Sequence, residues 1–516
     1  MEFFDIVGGF GRWQLRIFLF LLYVNIVGMW QNFSIVFQTP NMKFRCIQPS
    51  SEQLYSNSSA VVFDNRCEVL QEENSSILVP CTEWEYDTSS TSDTIVSEWD
   101  LVCSREWLIS LVKSMYMVGF LLSVLIFGQI SDLVGRFPTI IICYCITCVS
   151  MFLSLLSNSF SMFITLRFFQ AFGRAGITTT GYVLIREIVG SEHQTVMGLA
   201  IQVGWSIGFV TLVGVAWFFR NWFWLQLVIA LSFIPIVFAF GIISESPRWL
   251  LTRGKTKKLE KLLTKAAAIN GRKVKDEEIE GFKLLNNKHE NEKHSATLLE
   301  VLRMPRMRNR LLIMIYVWFV NVSLYYAFSY NISDLAGNMY LNFFIAGLVE
   351  FPCYVMVFWG IKWWGRRPIL VSLMLMGGLS CAAILPIPAD MPWLSTTLGL
   401  VGKFFVSGSF RLLYLYTAEI FPTGVRNVTL GSCSMCARIG SILAPFIRDL
   451  GKATHPAVPN ALYAFLALTS GLLALLLPET RGLDLPDTLL EGENLGVITS
   501  GSGKDSTDAE VVPLKG

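Results

Sequence analysis

Hydrophobic positions fall in long continuous blocks, not in the short stripes of soluble amphipathic helices. Such blocks lie at about 15–37, 107–129, 137–157, 160–182, 196–217, 222–243, 310–330, 339–360, 369–387, 394–416, 428–449 and 459–478. Each is close to the length a helix needs to cross the hydrocarbon core of a bilayer. Polar stretches interrupt the series at about 38–106, 248–309 and 483–516. The chain therefore divides into an N-terminus with helix 1 (1–37), a long loop (38–106), helices 2–6 (107–247), a basic loop (248–309), helices 7–12 (310–482) and a tail (483–516). The fold expected is an all-α membrane protein of twelve transmembrane helices, built as two six-helix pseudo-repeats.

The polar turns repeat between the two halves. Gly128-Gln-Ile-Ser-Asp132-Leu-Val-Gly135-Arg136-Phe-Pro138 joins helices 2 and 3, and Gly360-Ile-Lys-Trp-Trp-Gly365-Arg366-Arg367-Pro368 joins helices 8 and 9. In the first copy, Gly128 is read as allowing close helix approach and Gly135 as allowing the tight turn. Asp132 and Arg136 place opposite charges at helix ends. Arg186-Glu187 is answered by Glu419 and Arg426, and Glu245-Ser-Pro-Arg248 by Pro478-Glu479-Thr-Arg481. The first turn resembles the signature loop of the major facilitator superfamily.

Composition narrows the class. With 53% hydrophobic and 16% charged residues, the chain falls well short of the roughly 25% charged residues of soluble domains. A net charge of +2 argues against a nucleic-acid partner. Residues 1–14 lead into an apolar run too long for a cleavable signal. The 248–310 block is the most basic stretch, so the positive-inside rule places it, and both termini, in the cytoplasm. The tail from about 483 reads as disordered. The 38–106 loop then faces outward, in agreement with its acidity, its sequons at Asn57 and Asn74, and its cysteines Cys46, Cys67, Cys81 and Cys103. Four cysteines in an oxidising compartment predict two disulfides, with three connectivities open.

No chemistry of an enzyme is visible. Gly254-Lys255-Thr256 lacks the earlier glycine of a phosphate loop, and Gly503-Lys504 is followed by Asp505. The four histidines (His193, His289, His294, His455) fall in expected loops, and Cys143, Cys145 and Cys148 lack neighbouring ligands. No metal, cofactor or catalytic residue is expected. Ionisable residues inside spans are costly and need an explanation. Glu350 is the acid nearest a helix midpoint, against Lys113, Arg167, Arg174, Lys403, Arg411 and Arg438. Lys113 is expected to snorkel outward and Arg167 to bond backbone carbonyls. Trp30, Tyr182, Trp205, Tyr325, Tyr326 and Phe328 could wall a cavity for an organic ligand.

Further strings are similar to those of the organic ion transporter family, which includes organic cation, carnitine and organic anion transporters. They are Thr94-Ile-Val-Ser-Glu98-Trp99-Asp100-Leu-Val-Cys103, Glu245-Ser-Pro-Arg-Trp-Leu250, Asn338-Met-Tyr-Leu-Asn342, Tyr416-Thr-Ala-Glu419 through Asn427, and Ala437-Arg438-Ile-Gly440-Ser441. Sugar porters share the Pro-Glu-Thr-Arg-Gly and Glu-Ser-Pro-Arg turns but not the cysteine-bearing loop. The resemblance places Glu350 at the family's pocket acid, and Arg438 where strict cation carriers have aspartate and anion and carnitine carriers have arginine. Gln202, Trp205 and Tyr325 match pocket positions, while Arg411 and Arg174 depart from the usual residues. It implies a plasma-membrane carrier of small organic ions working by alternating access, with an anion or carnitine-like zwitterion favoured. The alternatives are an organic cation uniporter and, more remotely, a sugar-porter-like carrier or a non-transporting receptor. The bilayer is a partner, as is a coupling or exchanged ion if transport is driven. The charged turns (Asp132, Arg136, Glu187, Glu245, Arg248, Glu419, Arg426, Glu479, Arg481) are expected to pair across a closed cytoplasmic gate.

Overall fold

The computed structural model describes residues 6–47, 63, 65, 67–70, 78–88, 92–239, 241, 243–272, 298–388, 390–483, 486 and 488–495. Twelve helices carry the fold. The first six are α1 (Arg12–Gln38), α2 (Trp107–Val134), α3 (Arg136–Ser154), α4 (Phe160–Ile188), α5 (Ser191–Phe218) and α6 (Trp222–Phe233, continued by Pro235–Ala239). The second six are α7 (Pro305–Tyr330), α8 (Met339–Leu348 then Glu350–Trp363), α9 (Arg366–Ile384), α10 (Pro392–Ile420), α11 (Arg426–Ala453) and α12 (Ala457–Ala474). Ten are long and apolar enough to cross a bilayer by length and composition. The other two are α4, which carries Arg167 and Arg174, and α6, which is short.

The packing repeats. α1 lies on α5 as α7 lies on α11, and α4 contacts α2 and α3 as α10 contacts α8 and α9. Between the halves, α2 meets α11 and α5 meets α8, the two related seams of a pseudo-twofold arrangement. Side chains such as Phe218, Phe238 and Trp364 are largely exposed on this helical surface, as a lipid-facing surface requires.

Prolines explain two departures from the expected spans. The block at 222–243 stops as a helix at Phe233, because Pro235 has no N–H to give to the preceding turn. In α8 the missing N–H of Pro352 coincides with a break at Val349, so Glu350 opens the second half-helix. α5 starts earlier than read, which puts His193 in its first turn. Gly128 has open space where a Cβ would go, so it serves no close approach. The tight contacts fall at Gly119, whose Cβ would meet the Phe168 carbonyl at 2.4 Å, and Gly173, against the Cys143 carbonyl at 2.5 Å. Gly135 (φ 121°) and Gly365 (φ 102°) hold the two inner turns in a backbone region that disfavours other residues.

The loop after α1 is a stapled cap. Strands β1 (Phe44–Cys46) and β4 (Trp84–Tyr86) pair antiparallel, as do β2 (Glu68–Leu70) and β3 (Leu78–Pro80). Disulfides Cys46–Cys81 and Cys67–Cys103 interlace, resolving the connectivity. Trp99 anchors the cap to the bundle, with ring centroids 5.1 Å from Phe163 and 5.6 Å from Trp222. Tyr86 donates to Asp100 at 3.0 Å, and burial together with that carboxylate pushes its phenol pKa up. Asn57 and Asn74 lie outside the described residues.

On the opposite side, the basic loop contains the amphipathic helix Thr256–Ile269, followed by Asn270, whose amide accepts from the Trp13 N–H at 2.9 Å; residues 273–297 lie outside the described set. The tail begins with structure, contrary to the expectation of disorder from about 483. Helix Leu489–Asn494 docks on α7, where the Glu493 carboxylate accepts the N–H groups of Arg306 and Met307 at 3.0 and 2.9 Å. The physical reason is the open N-terminus of α7, whose orphan donors attract a carboxylate. Residues 496–516 lie outside the described set.

Candidate functional site

The charged inner turns form two matching clamps. In the first half, the Arg136 guanidinium donates to both oxygens of Glu187 at 3.0 and 2.9 Å and meets Asp132 at 2.9 Å. Glu245 accepts the Arg136 N–H at 2.8 Å and the Ser246 N–H at 2.9 Å, so it caps the start of α3. In the second half, Arg366 meets Glu419 at 3.0 Å, and Glu479 accepts the N–H groups of Arg366 at 2.9 Å and Arg367 at 3.0 Å. These pairs lie inside one half each. In this conformation Asp132, Arg136, Glu187, Glu245, Glu419 and Glu479 pair within halves and not across a gate, because each carboxylate finds orphan helix N–H groups or an arginine of its own half. Arg248 is exposed, Arg481 donates to the Trp363 carbonyl at 2.6 Å, and Arg426 to the Phe421 carbonyl at 3.3 Å. Arg366, which answers Arg136, is read in the repeated turn but not counted among the gating residues.

Bonds joining the halves gather on the side that carries the disulfide-bonded cap. Ser110 and Ser114 of α2 donate to the Pro445 and Ile442 carbonyls of α11 at 3.2 and 2.6 Å. Asn41 donates to Asp334 at 2.7 Å, Arg448 binds the same carboxylate at 2.6 Å, and Lys452 pairs with Glu106. The halves are thus fastened on the cap side, while the charged turns at the opposite end look only to their own halves.

Between the two halves the buried acid and cations divide into two groups. Glu350 is completely buried; one oxygen accepts from Tyr325 at 2.9 Å, the other from Ser206 at 2.7 Å and Arg411 at 3.1 Å. Trp205 donates to the Tyr325 hydroxyl at 2.8 Å. Arg411 lies 3.7 Å over the Tyr354 ring, and Lys403 lies 3.7 Å over Phe209. The half-helix that begins at Glu350 presents its positive end to this carboxylate. Glu350 is the one acid in the buried set among the described residues.

The second group surrounds Phe120 of α2. Arg174, 1% exposed, lies 5.9 Å from that ring and 5.3 Å from Trp205. Arg438 stacks on Phe120 at 4.1 Å. The Nε atoms of both guanidiniums are buried without a hydrogen-bond partner, and neither forms an ion pair among the described residues. A Cβ on Gly28 would fall 2.4 Å from the Arg174 Nε, so the glycine makes room for this arginine.

Arg438 and Glu350, both placed at pocket positions by the resemblance, are not partners; Arg411 takes the acid instead. Arg167 bonds the Asn32 carbonyl at 3.2 Å, as expected. Lys113 does not snorkel: it is 3% exposed and lies 5.6 Å from the Tyr330 ring. Gln202 is half-buried one turn before Ser206, and Tyr182 is 37% exposed on α4. Trp30 bonds Thr211 at 2.9 Å and lines an apolar crevice of about 730 Å³ with Trp217, Phe218 and Phe344, away from the charges. Sequence reasoning missed Ser206, Tyr354 and Phe120. A usable signal was the spacing Lys113, Tyr116, Phe120, one helix face on which each aromatic ring meets a buried arginine.

Comparison with known proteins agrees with the twelve-helix fold. The family pattern "Sugar (and other) transporter" matches residues 38–488. An "Organic cation transporter protein" of Drosophila melanogaster is 35% identical, over 95% of this chain and 94% of that protein. "Solute carrier family 22 member 3" of Rattus norvegicus is 32% identical over 81% of this chain and 75% of its own length. A "Beta-alanine transporter" of Drosophila melanogaster is 35% identical over 81% of this chain and 69% of its own length. Among solved structures, the inward-open xylose transporter XylE from E. coli superposes with a TM-score of 0.60 at 15% identity, covering 91% of this chain and 98% of that one.

Proposed function

Because the chain belongs to the organic ion transporter family of the major facilitator superfamily, we propose that it carries small organic anions or zwitterions across the plasma membrane, with both termini in the cytoplasm. The observation that carries the reading is the pair Arg174 and Arg438, which flank Phe120 with buried Nε atoms and no carboxylate partner. A buried cation without a counter-charge is expensive, and a substrate carboxylate relieves it. Trp205, in contact with Arg174, and Tyr325 supply an aromatic wall, with Gln202 and Tyr182 as further lining positions. A relative named for β-alanine supports a zwitterion, since that compound carries both a carboxylate and an ammonium. Relatives named for organic cations favour the second reading, uniport of a cation, which needs a free acid.

Transport follows from the two halves rocking about the midplane site. The inner clamps of Asp132, Arg136, Glu187 and Glu245, and of Arg366, Glu419 and Glu479, brace each half as a rigid body. Arg248, Arg426 and Arg481 serve the same inner surface from its rim. A potential of 100 mV is worth about 2.3 kcal/mol per charge and opposes anion entry, so anion uptake requires exchange or a coupled ion.

The test is radiotracer uptake of benzoate, β-alanine and tetraethylammonium at matched surface abundance. Arg438→Ala should lower apparent affinity for the two carboxylates by roughly 10- to 100-fold, the range of one charge-assisted bond, while sparing tetraethylammonium. An equal loss for all three compounds would make Arg438 structural and remove the reading's main support.

A further inference from the structure

We propose that Arg411 sets the charge preference of this carrier by sequestering Glu350, turning the midplane acid from a ligand for cations into a strut between the halves. The inference rests on the midplane being the substrate site.

Both carboxylate oxygens of Glu350 are occupied: one by the Tyr325 hydroxyl, the other by the Ser206 hydroxyl and the Arg411 Nη2. Arg411 is pinned in turn. Its Nη1 donates to the Ser407 carbonyl at 3.1 Å, its Nη2 also contacts Ser206 at 3.1 Å, and its plane lies 3.7 Å from the centre of Tyr354. Ser206 and Trp205 belong to the first half, whereas Glu350, Tyr325 and Arg411 belong to the second. The carboxylate thus closes a network that ties α5 to α7, α8 and α10.

The guanidinium occupies what is chemically a cation site. It sits between a buried carboxylate and the face of a tyrosine, two groups that attract an organic ammonium. With Arg411 in place, an incoming cation would have to displace an arginine already held by two chemically distinct partners. Without it, the same space is left with an acid, the Tyr354 face and the nearby ring of Tyr325, itself stacked on Phe410 at 5.6 Å. Lys403 is the other cation near this space; its Nζ is 5.7 Å from the centre of Tyr325 and is buried without a hydrogen bond. Once Arg411 is gone, Lys403 could swing onto Glu350, so a test must remove it as well.

The experiment reads tetraethylammonium and benzoate uptake in proteoliposomes made with purified wild-type protein, Arg411→Gln, Arg411→Gln/Lys403→Met, and Arg411→Gln/Glu350→Gln. Saturable tetraethylammonium uptake should rise at least tenfold in Arg411→Gln or in the Lys403→Met double variant, and fall back to the wild-type level in the Glu350→Gln double variant. Arg411→Lys, which keeps the charge, should show no gain. The proposal is overturned if neither Arg411→Gln variant gains cation uptake while benzoate uptake persists, or if the gain survives removal of the Glu350 charge. Wild-type protein that already prefers tetraethylammonium to benzoate would instead overturn the functional reading, so the two failures look different.

Discussion

Replacing the capping carboxylates tests whether the inner turns are braces or a gate. Glu245 accepts three N–H groups, those of Arg136 at 2.8 Å, Ser246 at 2.9 Å and Phe137 at 3.3 Å, two of them the first amides of α3, and its charge lies at the positive end of that helix. Glu479 does the same for α9, with Arg366 and Arg367 N–H groups at 2.9 and 3.0 Å and the Thr480 N–H at 3.0 Å. Loss of a helix cap costs about 1–2 kcal/mol, and loss of the charge at the helix end a further ~0.3–1 kcal/mol. Glu245→Ala and Glu479→Ala should therefore each destabilise by about 1.3–3 kcal/mol, a fall of roughly 3–12 °C in melting temperature for a unit the size of one half. Melting in detergent followed by fluorescence-detected size exclusion measures it. Because the two clamps share no partner, the double variant should equal the sum of the single effects within ~0.5 kcal/mol. Strong non-additivity, or altered transport with no change in melting, would mean that the carboxylates meet across the halves, and the brace would be wrong.

Three further outcomes follow from the geometry. Gly28→Ala would put a Cβ 2.4 Å from the Arg174 Nε and drive the guanidinium from its place, raising the KM for benzoate roughly tenfold, in line with loss of one charge-assisted bond, and leaving that of tetraethylammonium unchanged. An unaltered benzoate KM would remove Arg174 from the site. Cys67→Ser opens a crosslink spanning 36 residues, worth about 3–4 kcal/mol in chain entropy; limited proteolysis should cut the outer cap of this variant, with transport selectivity kept, and a protease-resistant cap would refute the staple's importance. Unpaired Arg174 and Arg438 make substrate-free occlusion costly, so internal benzoate should speed benzoate uptake severalfold, and rates indifferent to internal substrate would contradict that electrostatic argument.

The fold was legible because a bilayer leaves few options. Apolar blocks of spanning length must be helices, since no water is present to satisfy an open backbone, and the paired turns at Asp132–Arg136 and Arg366–Arg367 exposed the duplication. The cap was read correctly as disulfide-bonded, but four cysteines allow three pairings, and only the strand pairing of Phe44–Cys46 with Trp84–Tyr86 brings Cys46 to Cys81. What composition hid was the start of the tail. Leu489–Asn494 is short and polar, and its helix depends on Glu493 meeting the first amides of α7, a contact between residues nearly two hundred positions apart.

At the midplane, residue types were legible and partnerships were not. The charges inside the spans, Glu350, Arg411 and Arg438 among them, could be listed from the sequence, yet position along a helix says nothing about azimuth, the direction in which a side chain leaves its helix. The local sequence held a clue in Glu350-Phe-Pro352. A proline two residues after an acid in a spanning block interrupts the helix just before the acid, which rotates it relative to the outer half of α8 and gives it a helix N-terminus of its own. An acid placed so is aimed by the break, and here it is aimed at α10, where Arg411 waits, and at Ser206 of α5. Arg438 lies on α11, whose neighbours across the seam come from α2, and therefore meets Phe120. The same seam geometry thus decides which cation is neutralised by a carboxylate of the protein and which is left without one.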